Sequence, residues 1–116
     1  MVLSPKILKN VYLMLLACKP FNDYKSMPPA DNIRFVVNSD PDTMGTYLYD
    51  EDEAPSHVIT ISKERCGHLN TVIQTMAHEM IHLKRHKTKA WDQHDDKFRK
   101  YAKDIADELG FDPASL

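Results

Sequence analysis

An α+β fold, built as a single domain over residues 1–116, is predicted by three observations. A proline-led amphipathic pattern opens the chain, three short β-branched segments occupy its middle, and two helical patterns fill its second half. A chain of 116 residues suffices for one core and is short for two, because independent domains need roughly 100 residues or more. Its 42% hydrophobic and 28% charged residues are those of a folded globular domain and exclude disorder as the main state.

Ser4 followed by Pro5 is a sound helix start: the serine can cap, and the proline lacks an N–H only where none is needed. Ile7, Val11, Met14, Leu15 and Cys18 recur at helical spacing, which predicts a core helix to about Lys19, stopped by Pro20. Lys6 and Lys9 ahead of the apolar run Val11–Ala17 and Cys18 faintly resemble a lipoprotein signal, but the run is short and an amphipathic core helix explains it equally well. No segment approaches the ~20 apolar residues that span a membrane, so no membrane association is expected. Cys18 and Cys66 form no CxxC pair, which leaves neither a disulfide framework nor a cysteine metal site and suits a reducing cytoplasm.

Three segments of strand character follow, Ile33–Val37, Thr46–Tyr49 and His57–Ser62, separated by Asp, Pro and Gly clusters that read as turns. In the third, Ile59 and Ile61 alternate with Val58, Thr60 and Ser62, the pattern of a sheet covered on one side. The short connections favour antiparallel neighbours, since parallel pairing needs a longer crossover. The expectation is a small, three-stranded, mainly antiparallel sheet.

From Leu69 to Lys87 the pattern is helical, with Leu69, Val72, Ile73, Met76, Met80 and Leu83 on one apolar stripe. A last helix begins at Asp92 or Asp95 and runs to Leu109, ended by Gly110 with Pro113 beyond. Net charge is −2, so no global field calls for nucleic acid. Locally, six acids and no base lie between Asp40 and Glu53, whereas Leu83–Lys100 holds seven bases against three acids.

His78-Glu79-Met80-Ile81-His82 lies inside the strongest helical pattern. At about 100° per residue the two histidines are about 40° apart and one turn along, so both imidazoles can face one ion. Glu79 sits on the neighbouring flank, where a general acid/base can reach a water without being a ligand. The histidines and Thr71 and Thr75 occupy the side opposite the apolar stripe, which suits a lined cleft. A catalytic zinc site takes three protein ligands and keeps one position open. His86 continues the series, but His78 and His86 would be ~12 Å apart along one axis, too far to converge. His94, after the helix break, can fold back over the site and is preferred. Three imidazoles suit Zn²⁺, one per chain. His57 and His68 read as solvated residues at a strand end and a helix start.

With these motifs in this order, the chain resembles an SprT-like metalloprotease domain of the zincin group that includes the Spartan-type proteases. His78–His82 matches the family's HExxH helix, His94-Asp95-Asp96-Lys97-Phe98 its H-x-x-x-F motif, and Met44-Gly45-Thr46-Tyr47 its glycine-containing strand. The glycine usual after the third histidine is Asp95 here, and the zinc ribbon and DNA-binding regions of larger relatives have no counterpart in these residues. The resemblance implies a minimal zincin-like domain with N-terminal helix, sheet, active-site helix and C-terminal helix. It implies hydrolysis of peptide bonds by a metal-activated water, with metal ligands His78, His82 and His94 and with Glu79 as acid/base.

The expected partner is a protein or peptide substrate, lying extended along the strand near Gly45–Tyr49; strand packing is the better reading for Tyr47 and Tyr49 than assistance to the oxyanion. The rival expectation is a zinc-stabilised, non-catalytic interaction module, associated with nucleic acid through Lys84, Arg85, Lys87 and Lys89.

Overall fold

Ser4 caps the first helix by accepting the Ile7 N–H on its Oγ at 3.3 Å, and α1 runs Pro5–Leu16. In the computed structural model, which describes all 116 residues, strands β1 (Ile33–Asn38), β2 (Gly45–Tyr49) and β3 (His57–Ser62) follow. Helices α2 (Leu69–Lys84) and α3 (Asp96–Leu109) complete the fold. Short 3-10 turns sit at Phe21–Asp23, Ala30–Asn32 and Pro113–Ser115. No helix is long and apolar enough to cross a membrane.

The sheet order is β1-β3-β2. Strand β2 pairs antiparallel with β3, Gly45 opposite Ile61 and Tyr49 opposite His57, but β1 pairs with β3 in parallel, Ile33 opposite His57. The sheet is therefore mixed, where short connections had favoured antiparallel neighbours. The crossover from β1 to β3 contains β2 itself, and that excursion supplies the length a parallel return needs.

In this register Ile33, Phe35, Val37, Tyr47, Ile59 and Ile61 share one face. Helix α1 packs there against β1, and α2 against β2 and β3. Leu8, Tyr12, Leu15, Ile59, Ile61, Met76, Met80, Ile81 and Leu83 are fully enclosed, each worth about 1.5–3 kcal/mol of transfer free energy for a large apolar side chain. The opposite face carries the exposed Arg34, Thr46 and Leu48. A sheet covered on one side is what the alternation in β3 predicts.

Gly45 sets the distance between β2 and α2. A Cβ there would lie 2.8 Å from Thr75 Cγ2, 3.0 Å from the Thr60 carbonyl and 3.1 Å from Ile61 Cδ1. Two of these neighbours are β-branched and one is main chain, so little can give way. Gly45→Val should destabilise the fold by about 1–3 kcal/mol, the usual cost of overpacking. An unchanged urea midpoint would show that the strand can retreat from the helix.

Helix α2 is enclosed on nearly every side. Besides the apolar stripe, Thr75, Ala77, Glu79, Ile81 and His82 are buried, while Leu69, the first member of the stripe, is 52% exposed. The helix stops at Lys84, one turn short of the expected Lys87, because Arg85 leaves the helical path and its N–H returns to the His82 carbonyl at 3.0 Å. Helix α3 begins on Asp95, whose carboxylate accepts the Phe98 N–H at 3.0 Å, and ends on Gly110 at φ 81°, a left-handed stop that glycine adopts without strain.

Candidate metal centre

The α2 helix presents His78 and His82 one turn apart, and the chain then reverses through residues 85–95 to bring His94 against them from the threshold of α3. His94 Nε2 lies 3.0 Å from His78 Nε2 and 3.2 Å from His82 Nε2. Three nitrogens tetrahedrally disposed about a zinc ion at 2.0–2.1 Å would be roughly 3.3 Å apart, so the spacing fits one ion. His86 does not join them: its Nδ1 donates to the Leu83 carbonyl at 2.8 Å and its ring meets His57 edge-on.

The proton positions agree with ligation. His82 Nδ1 is 2.7 Å from the Trp91 carbonyl, an acceptor only, so Nδ1 carries the hydrogen and Nε2 presents its lone pair to the shared point. Burial, and then the neighbouring rings of His82 and His94, push His78 down to about 4 despite an opposing interaction with the Leu116 main chain. Burial lowers His82 as well. Both are thus held neutral, the form that binds a metal. The ring of Phe98, fourth after His94, backs all three imidazoles with centroids 4.7–4.9 Å away.

Behind His94 stands an ion pair. Arg85, 5% exposed, donates Nη1 to Asp95 Oδ1 and Nη2 to Asp95 Oδ2, both at 2.8 Å, and Nη1 also reaches the Gln93 carbonyl at 3.2 Å. The guanidinium, and then the Phe98 N–H, hold the Asp95 carboxyl down to about 2. One side chain at the end of α2 therefore grips the residues on both sides of the third histidine, in the fork geometry specific to arginine. Asp95 has φ −78°, a conformation that needs no glycine. Asp95→Gly should accordingly weaken metal affinity about 10- to 100-fold, as losing a ligand's supporting contacts does, although it restores the residue usual in the family resembled. Competition against a chromophoric chelator measures this; unchanged affinity would leave the clamp without a role in ligation.

Glu79 is 5% exposed and has no charged partner, and burial raises its carboxyl to about 8. It lies between α2 and β2 at the meeting of two cavities. One, of about 300 Å³, extends past Tyr47, His82, Trp91 and His94; the other, of about 240 Å³, extends past Met44, Thr75 and Leu116. Gly45, His78 and Glu79 line both, so the point on which the three histidines converge, where a metal ion could sit, opens onto space running beside β2.

Other residues singled out by sequence behave differently. His57 is buried rather than solvated. Its Nδ1 shares a 2.7 Å hydrogen bond with Tyr47 Oη, and it packs against the rings of Tyr49 and His86, so burial first and His86 second lower it to about 4. His68 is exposed at the start of α2, as expected. Tyr47 is buried by strand packing. Of the basic run, Arg85 is consumed by Asp95, and Lys84 Nζ sits over the rings of Tyr24 and Tyr101 at 4.6 and 4.9 Å. Lys87 and Lys89 are exposed.

The Trp91 carbonyl, the Arg85–Asp95 clamp and the Leu116 contact with His78 lie outside what the sequence pattern predicts. Only the clamp left a trace there, as opposite charges ten residues apart on either side of the helix break.

Among known protein families, the one described as the SprT-like family matches residues 18–115, a span that holds the whole sheet, all three histidines and Glu79. No curated protein and no solved structure matches the chain.

Proposed function

Since the chain belongs to the SprT-like family, we propose that it is a zinc-dependent metallopeptidase that hydrolyses peptide bonds with Glu79 as general acid/base. The observation that carries this reading is the convergence of three imidazoles on one point beside a buried carboxyl that has no charged partner. A site serving only to tie helices together has no use for that carboxyl.

His78, His82 and His94 would hold the ion, and zinc, when bound, supplies Lewis acidity toward the scissile carbonyl and toward water. The chain's own groups do the rest. A Glu79 carboxylate oxygen takes a proton from the attacking water as oxygen bonds to the carbonyl carbon, and returns it to the departing amine as the C–N bond breaks. The Trp91 carbonyl and the Arg85–Asp95 pair keep His82 and His94 aimed. Because β2 pairs with β3 alone, its outer edge has free N–H and C=O groups that can take an extended peptide as a further strand. Gly45, without a side chain, lets α2 sit close against β2 and so keeps Glu79 beside that edge.

Treating the zinc-loaded protein with a chelator should stop cleavage of an unfolded protein substrate, and adding back one equivalent of zinc should restore it. Cleavage unaffected by chelation would sink the metallopeptidase reading.

A further inference from the structure

We infer that His57, at the start of the central strand, is a positioning residue for the metal centre: acting through Tyr47 and Trp91, it fixes the orientation of His82. The inference rests on the zinc-binding part of the reading above and extends the centre to a residue that packs on Tyr47, Tyr49 and His86 rather than on the three histidines.

His82 is aimed from outside the centre by one bond, between its Nδ1 and the Trp91 carbonyl at 2.7 Å. That carbonyl belongs to a stretch with little to hold it. Lys87, Thr88 and Lys89 before it are exposed, and Arg85 grips Gln93 and Asp95 beyond it. The half-buried indole of Trp91 ties this stretch to the sheet, packed against Tyr47 with ring centroids 5.5 Å apart and planes at 89°. An edge-to-face contact depends on the angle between the rings, so the plane of the Tyr47 ring bears on where the Trp91 main chain lies. His57 sets that plane from the tip of the tyrosine, its Nδ1 sharing a 2.7 Å hydrogen bond with Tyr47 Oη.

His57 itself has little freedom. Its ring lies nearly parallel to those of Tyr47 and Tyr49, at 23° and 24°, and meets His86 edge-on with 4.7 Å between centroids. A polar ring in so enclosed a place costs free energy unless its nitrogen is bonded, a cost that an apolar side chain at the start of β3 would escape. Bonded to each other, Tyr47 and His57 satisfy two buried polar groups and specify one arrangement of the rings. The Arg85–Asp95 pair thus supports His94, and a separate line of contacts, from β3 through β2 and the 86–95 segment, supports His82.

The test measures zinc affinity by competition with a chromophoric chelator and follows the His82 Nδ1 proton by NMR of the zinc-loaded protein. His57→Leu, which cannot bond Tyr47, should weaken zinc about 10-fold, the low end for lost supporting contacts, and should speed exchange of the His82 Nδ1 proton with solvent. His57→Asn, whose amide can take the place of Nδ1, should recover most of both. Tyr47→Phe keeps the ring and removes the hydroxyl, and should match His57→Leu. The double variant of Tyr47→Phe with His57→Leu should lose no more than either alone, because both cut one connection. Leu15→Ala, a core deletion in α1, reads the effect of destabilisation alone. Wild-type affinity and exchange in His57→Leu, additive losses in the double variant, or an equal loss in Leu15→Ala would overturn the relay. Should His57→Leu not fold, Tyr47→Phe decides, and unchanged affinity and exchange there would overturn it. A wild type that binds no zinc would instead overturn the metallopeptidase reading, and the relay with it.

Discussion

Glu79→Gln is expected to lower peptide hydrolysis by about 10²–10⁴-fold, the usual contribution of a positioned acid/base, while zinc content stays at one per chain. Glutamine has the shape of glutamate and cannot accept the proton. The exchange should also leave the melting temperature unchanged or raise it. Folding buries the Glu79 side chain in a place that disfavours its charged form, raising its carboxyl to about 8, and a neutral amide escapes that cost. Activity lost without stability lost is the signature of a group retained for chemistry. Equal rates in the two proteins would mark the histidine cluster as a structural tie between α2 and α3.

Metal content should separate His94 from His86 equally sharply. His94→Ala removes one of three convergent nitrogens and should leave the purified protein without stoichiometric zinc, since a site built on three ligands does not close with two. His86→Ala should keep one zinc per chain, because that ring faces His57 and Tyr49. Its effect should appear in stability, through the gap left among buried aromatic rings. If zinc survived in His94→Ala, the convergence of the three Nε2 atoms would not reflect metal binding.

Local rules carried the helix starts. Ser4-Pro5 and Asp95 cap α1 and α3, and Gly110 ends α3 with the left-handed turn its position suggests. The three strands emerged nearly to the residue because β-branched runs alternate with turn residues. Strand order did not, because nothing in Ile33–Asn38 encodes that its partner is His57–Ser62 in parallel; that pairing is decided by which faces α1 and α2 cover. His57 was misjudged for a similar reason. A histidine at a strand end looks solvated until Tyr47 and Tyr49 from β2 and His86 from the end of α2 enclose it. At the candidate metal centre, helical periodicity alone predicts that His78 and His82 face one point with Glu79 on the flank, and the structure brings the two histidines together with His94. His94 was reached by excluding His86 on length. The contacts that aim His94, through Arg85 and Asp95, depend on how α2 ends, and helix propensity favours carrying α2 on through Lys87.

The unpaired edge of β2 has a consequence for solubility. A free edge that can receive a peptide is equally a template for a second copy of the same strand, and Leu48, 60% exposed, makes this one adherent. Acids stand at both ends of the strand, Asp40 and Asp42 before it and Asp50 to Glu53 after it, so two copies approaching edge to edge bring like charges together. These carboxylates are placed as charged gatekeepers are, flanking an apolar strand on both sides. High salt, which screens that charge, is expected to promote edge-to-edge association of β2, seen as a salt-dependent rise in light scattering.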